Sequence, residues 1–188
     1  MKHKSWICSI AAGYLLVFGG LSAHGSEVIK SAALAIDNIQ MGNLTQAALE
    51  LKKSINTLWK ELPLTVHNVR LVNDLDGFSD RSSNVFAAGE SIYLTCQLFG
   101  YNIKETGGGF GIDVAADFSL LTTGDVILGG QKNVMRFQRA APVMVTDLYM
   151  NLTYRVTGVT PGTYIIQTTI RDQNSQKSVT FDQKVVFQ

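Results

Sequence analysis

The spacing of apolar residues divides the chain into three stretches. From Ile7 to Leu21 nearly every residue is apolar or small. From Ser26 to Leu62 apolar positions recur every three or four residues, the spacing of amphipathic helices. From Leu64 onwards they alternate, the spacing of strands with one buried and one wet face. In the middle stretch, Val28, Ile29, Ala32, Ala33, Ile36 and Ile39 predict a helix over residues 26–41. Gly42 ends it, being free to take positive φ. Asn43 then suits an N-cap, with Gln46 placed as its capping-box partner. Leu44, Ala47, Ala48, Leu51, Ile55, Leu58 and Leu62 line one face of a second helix, which Pro63 stops. So short a turn makes the two helices antiparallel, a hairpin over residues 26–63.

The alternating region predicts about seven strands. The clearest are Ile92–Leu98, Ile112–Leu120, Leu148–Val156, Tyr164–Ile170 and Val179–Phe187. Weaker ones fall at Leu64–Val72 and Asp125–Phe137. Turn signals separate them: Gly107-Gly108-Gly109, Thr123-Gly124-Asp125, and Asp172 to Lys177 between the last two strands, with a bulge or turn at Gly129-Gly130. The fold class is therefore mainly β, an antiparallel immunoglobulin-like β-sandwich over residues 64–188 preceded by the α-helical hairpin.

The first stretch changes the picture of where this sandwich works. Met1-Lys2-His3-Lys4 is a basic start, Ile7 to Leu21 an apolar middle, and Ala23-His24-Gly25 a small-residue cut site before Ser26. Residues 1–25 therefore read as a secretory signal peptide, and the mature protein is expected in the periplasm or outside the cell. Contact with a membrane would come only through this leader, if it stayed uncleaved. Removing it takes two lysines, so 14 basic residues face 15 acids and the net charge is −1. Such a surface offers no electrostatic footprint for nucleic acid. Cys96 is then the sole cysteine, on the apolar face of a predicted strand, where a thiol is a core residue.

Two segments carry resemblances. Met41 to Ala48 resembles the turn of a tetratricopeptide repeat, but one copy cannot build the continuous core that such repeats need, and peptide binding is not carried over. Gly158-Val159-Thr160-Pro161-Gly162-Thr163-Tyr164 resembles the corner before a late strand of immunoglobulin-like and fibronectin type III-like domains. That resemblance implies a Tyr164 hydroxyl reaching back to cap the corner. Ala88-Gly89-Glu90-Ser91-Ile92-Tyr93 is similar to a turn entering a strand of such modules. The run from Gly158 to Gln188 looks like their closing strands in exported bacterial proteins of uncharacterised function. The likeness implies a fold and does not by itself give a function.

Chemistry is sparse. His67 is the one histidine after the leader, too few for a zinc site or a triad with a nucleophile elbow. Asp74, Asp76 and Asp80 surround Gly77 and could offer oxygens to calcium, although Phe78 takes a position where a ligand is needed. Asp113 and Asp117 share one strand face, as paired glycosidase carboxylates might. Gly107 to Gly111 is glycine-rich, but no Lys-Ser/Thr helix follows, so it is no phosphate loop. Apart from calcium, no cofactor is implied. The expectation is a non-enzymatic interaction module of the bacterial cell envelope. Its partner would be an envelope protein or polymer, taken at a sheet edge or on a patch around Phe99, Tyr101 and Phe110, the alternative for those rings being a core contact of the second sheet, and self-association through the hairpin is open. The alternatives are a carbohydrate- or envelope-polymer-binding domain and, behind it, a hydrolase using Asp113 or Asp117.

Overall fold

In the computed structural model the described residues are 23–76 and 79–188. The expected leader therefore lies almost wholly outside them, and α1 (Ala23–Gln40) begins three residues before the expected cut. Gly42 closes α1 at φ +76, with its amide on the Ile39 carbonyl and the Asn43 amide on the Asn38 carbonyl. The chain then turns into α2 (Leu44–Trp59). Asn43 makes no side-chain cap, and Gln46 bonds Glu50 instead, so the expected capping box does not form.

Nine strands follow among the described residues. β1 (Thr65–Val72), β3 (Ser91–Phe99) and β7 (Leu148–Arg155) form an antiparallel sheet in the order β1-β3-β7. The second sheet holds β2 (Val85–Phe86), β4 (Lys104–Thr106), β5 (Gly109–Thr122), β6 (Ile127–Ala141), β8 (Gly162–Asp172) and β9 (Ser178–Phe187). Its order is β2-β9-β8-β5-β6, and β4 precedes β8 along the same edge of β5. Among the described residues only the β2–β9 pair is parallel. All seven expected strands are present. The two extra ones, of two and three residues, are too short to show a period.

The alternation fixes which side chains meet. Ile92, Leu94, Cys96 and Leu98 of β3, with Met150 and Leu152 of β7, are buried against Val114, Ile166, Ile170, Val185 and Phe187 of the other sheet. Each such aliphatic contributes about 1.5–3 kcal/mol, far more than any strand propensity, which is why burial sets the register. One buried polar pair spans this core: the Tyr154 hydroxyl and Thr168 Oγ1 lie 2.6 Å apart across the two sheets. At the corner before β8, the Tyr164 hydroxyl donates to the Thr160 carbonyl at 2.8 Å, as the resemblance implies.

Cys96 is fully buried, and desolvation pushes its thiol pKa up to about 12. An alkylating reagent at mild pH is therefore expected to leave the native thiol unmodified and to label it fully in denaturant, as read by intact mass. Rapid labelling of the folded protein would place Cys96 outside the core.

Candidate functional site

The hairpin and the sandwich meet at a joint built from the end of α2 and the end of β3. Trp59 is 4% exposed, donates its indole N–H to the Tyr101 carbonyl at 2.9 Å, and packs edge-on against the Tyr101 ring at 5.1 Å. Phe99 lies on its other flank at 5.7 Å, and His67 stands edge-on to Phe99 at 5.1 Å. The Tyr101 hydroxyl donates to the Val145 carbonyl at 2.8 Å. Lys177 ties the two backbones together, donating to the Leu62 carbonyl at 2.7 Å and the Gly100 carbonyl at 2.9 Å. Asp172, itself buried, accepts from the Asn102 and Asn174 amides at 2.7 and 2.9 Å. The connection out of β3 is thereby fastened to the turn between β8 and β9.

The three residues of the expected aromatic patch are placed differently from one another. Tyr101 is fully buried and Phe99 packs on Trp59, so neither offers a free ring to a partner. Both belong to the joint because the tryptophan before Pro63 needs apolar neighbours and a carbonyl for its N–H. Phe110 is half-buried on the wall of a cleft of about 500 Å³ beside the joint, which Trp59 and Tyr101 also line. Lys52 of α2, Lys60 at its C-cap, Glu105 and Met144 also line it. Trp59 was missed by the sequence reading, although a tryptophan in the last turn before a helix-stopping proline was the available signal.

The hairpin holds the second feature. Its seam is made of small residues: Ser31 and Ala35 of α1 against Ala47 and Ser54 of α2, all less than 9% exposed. Ser54 shares its hydroxyl between the Glu50 carbonyl at 3.1 Å and the Val28 carbonyl of α1 at 3.4 Å. Small residues let the helices come close, and the large apolar residues are left outside. Ile29, Ile36 and Ile39 of α1 are 51–57% exposed, and Leu44, Leu51, Ile55 and Leu58 of α2 are 46–67% exposed. The periodic residues of both helices therefore do not form the buried seam that their spacing suggests. At 100° per residue, each stripe lies about a quarter turn from the seam, forward in sequence on both helices. Antiparallel helices turn in opposite senses when viewed from one end, so both stripes fall on the same side of the hairpin. The opposite side carries Lys30, Asp37, Gln46 and Lys53, with Leu34 and Leu49 scattered among them.

The carboxylates named from sequence are engaged structurally. The Asp74 carboxylate accepts the Asp76 amide in a local turn, and Asp80 pairs with Arg70 at 2.9 Å. Gly77 and Phe78 lie outside the described residues. Among the described residues no three acidic, histidine or cysteine side chains are gathered so as to hold a metal ion, so the calcium set Asp74, Asp76 and Asp80 is not brought together. Arg136 grips Asp113 with two nitrogens, at 2.9 and 2.6 Å, and Gln138 adds a third bond. Arg171 grips Asp117 in the same way, at 2.9 and 2.8 Å. It also holds Asn133, whose φ of +53 lies in a bulge of β6. These arginine bonds hold both carboxyls below the usual carboxylate range, the opposite of what a glycosidase's proton donor needs.

No family model matches the chain, and no curated protein matches it. Among solved structures, the fibronectin(III)-like modules of Clostridium thermocellum CbhA are similar, at 12% identity and a TM-score of 0.28 over 64% of this chain and 97% of that one. The CARDB domain of PF1109 from Pyrococcus furiosus is similar at 16% identity and a TM-score of 0.29, over 66% and 94%. Spo0M, a sporulation control protein from Bacillus subtilis, gives 12% identity and a TM-score of 0.38 over 68% of this chain, which spans half the length of that one. These likenesses concern the sandwich fold alone.

Proposed function

We propose that the protein is a non-enzymatic interaction module, exported to the bacterial cell envelope and working in the periplasm or outside the cell. The observation that carries this reading is the hairpin's one-sided apolar face, held in place by a buried joint. Seven large aliphatic side chains half open to water are costly to leave uncovered, and a contiguous patch of this kind marks a docking surface. Export is supported by the leader pattern of residues 1–25. Non-enzymatic action is supported by carboxylates that serve as arginine partners and by a histidine packed at the joint's rim.

The test is in-cell crosslinking of a C-terminally tagged chain, fractionation of the cells, and mass spectrometry of the adducts. The expected result is a leaderless protein in the envelope fraction, with adducts concentrated on residues of α1 and α2. A protein held in the insoluble wall fraction with no protein adduct would instead favour the envelope-polymer reading, with the cleft at Phe110 as the site. A cytoplasmic chain that keeps residues 1–25 would overturn the export reading.

A further inference from the structure

We infer that the apolar face of the hairpin docks on the same face of a second copy of this chain, closing a four-helix bundle. The inference rests on the interaction-module reading and names the partner. Three observations select a second copy. The first is area. Seven side chains at about half exposure amount to roughly 650 Å² per copy, close to the ~800 Å² per partner of a standard interface. The flanking alanines Ala32, Ala33 and Ala48 enlarge it further. The second is shape. The face is two parallel ridges with a shallow groove along the small-residue seam, and two such faces are self-complementary, as a two-fold contact requires.

The third is charge. The helix charges cancel over the hairpin, −1 on α1 and +1 on α2, and Lys30, Asp37 and Lys53 stand on its other side, away from the apolar face. A two-fold axis along the helices sets α1 of each copy against α2 of the other, antiparallel, so the helix dipoles face favourably. Self-docking therefore meets no repulsion. An anionic lipid surface gains nothing from a hairpin whose helix charges cancel, since that attraction needs net positive charge.

Light scattering coupled to size exclusion, on the protein as the cell processes it, reads the inference. The expected result is a mass of two chains from about 1 to about 100 µM, the range that interfaces of this size span at the weak end. Ile36→Glu with Ile55→Glu should weaken the dimer by at least thirtyfold, the loss of one hot-spot side chain or more. Circular dichroism of the monomeric variant should stay unchanged, because both residues are exposed within one copy, and its unfolding midpoint should match that of wild-type protein diluted below the dimer's dissociation constant. A wild-type monomer at about 100 µM, or a dimer that survives both substitutions, overturns the inference. A monomer that sediments with vesicles assigns the face to lipid, and one whose residues 7–21 crosslink to α1 assigns it to the chain's own leader. Both of these outcomes also overturn self-docking. Adducts to a different envelope protein, with a monomer in solution, would leave the interaction-module reading standing while removing this one.

Discussion

Gly100→Ala is expected to destabilise the fold by about 3–5 kcal/mol, enough to lower the melting temperature by roughly 10–15 °C for a chain of this size. Gly100 sits at φ +74, in the left-handed region, where any side chain costs about 1–2 kcal/mol before it touches anything. It also has no room. A Cβ would fall well inside contact distance of the Pro63 carbonyl oxygen, 2.8 Å from the carbonyl carbon and 2.9 Å from the Leu62 carbonyl oxygen. These are backbone atoms of the segment that links α2 to β1, and Lys177 holds the Leu62 carbonyl from the other side. Relief therefore requires moving the hairpin's exit from the sandwich. Gly107→Ala is the matched control. It has nothing within 4 Å of the added methyl group and should change stability by less than about 0.5 kcal/mol. Thermal unfolding of the two variants side by side decides the matter, and equal midpoints would show that the two segments do not approach as closely as described.

The same pair of positions shows what a sequence can and cannot disclose. Strand identity was legible because burial repeats locally: Ile92, Leu94, Cys96 and Leu98 announce a buried face within seven residues. The Tyr164 corner was legible because the hydroxyl and its acceptor are four residues apart. What a residue meets across the fold has no such local trace. Gly100 and Gly107 look alike in the sequence, yet one abuts Pro63 and the other faces water. β2 escaped notice because two residues are too few to show a period. Periodicity also gave the hairpin's apolar stripes but not their neighbour. Because Ser31, Ala35, Ala47 and Ser54 already satisfy the contact between the helices, the larger residues were left over for something else. Tyr101 was misplaced for a related reason. Aromatic composition marks a place where rings gather, and only the position of Trp59 decides whether they gather as a surface or a joint.

Trp59→Ala is expected to have an effect of similar size, located differently. Loss of a buried tryptophan removes about 3–5 kcal/mol of packing, and it strands the Tyr101 carbonyl that the indole N–H satisfied. Among the described residues, Trp59 is the one helix residue in a buried core otherwise built from the sandwich's own residues, so most of that core survives its loss. The hairpin depends on this ring, since two helices of 18 and 16 residues joined by a seam of alanine and serine bury little apolar area between them. The variant should therefore lose protection mainly in residues 23–59, so that their amides exchange with solvent at least a hundredfold faster while those of β3 and β8 keep their rates. Trp59→Phe keeps most of the ring packing and loses only the N–H bond, so it should fall between the two, at about 1–3 kcal/mol. Hydrogen exchange by mass spectrometry separates the outcomes. Equal acceleration in helices and strands would mean that the joint and the core form one cooperative unit. Acceleration confined to the hairpin would mean that the joint is what presents the apolar face, and that its orientation is set by a single indole.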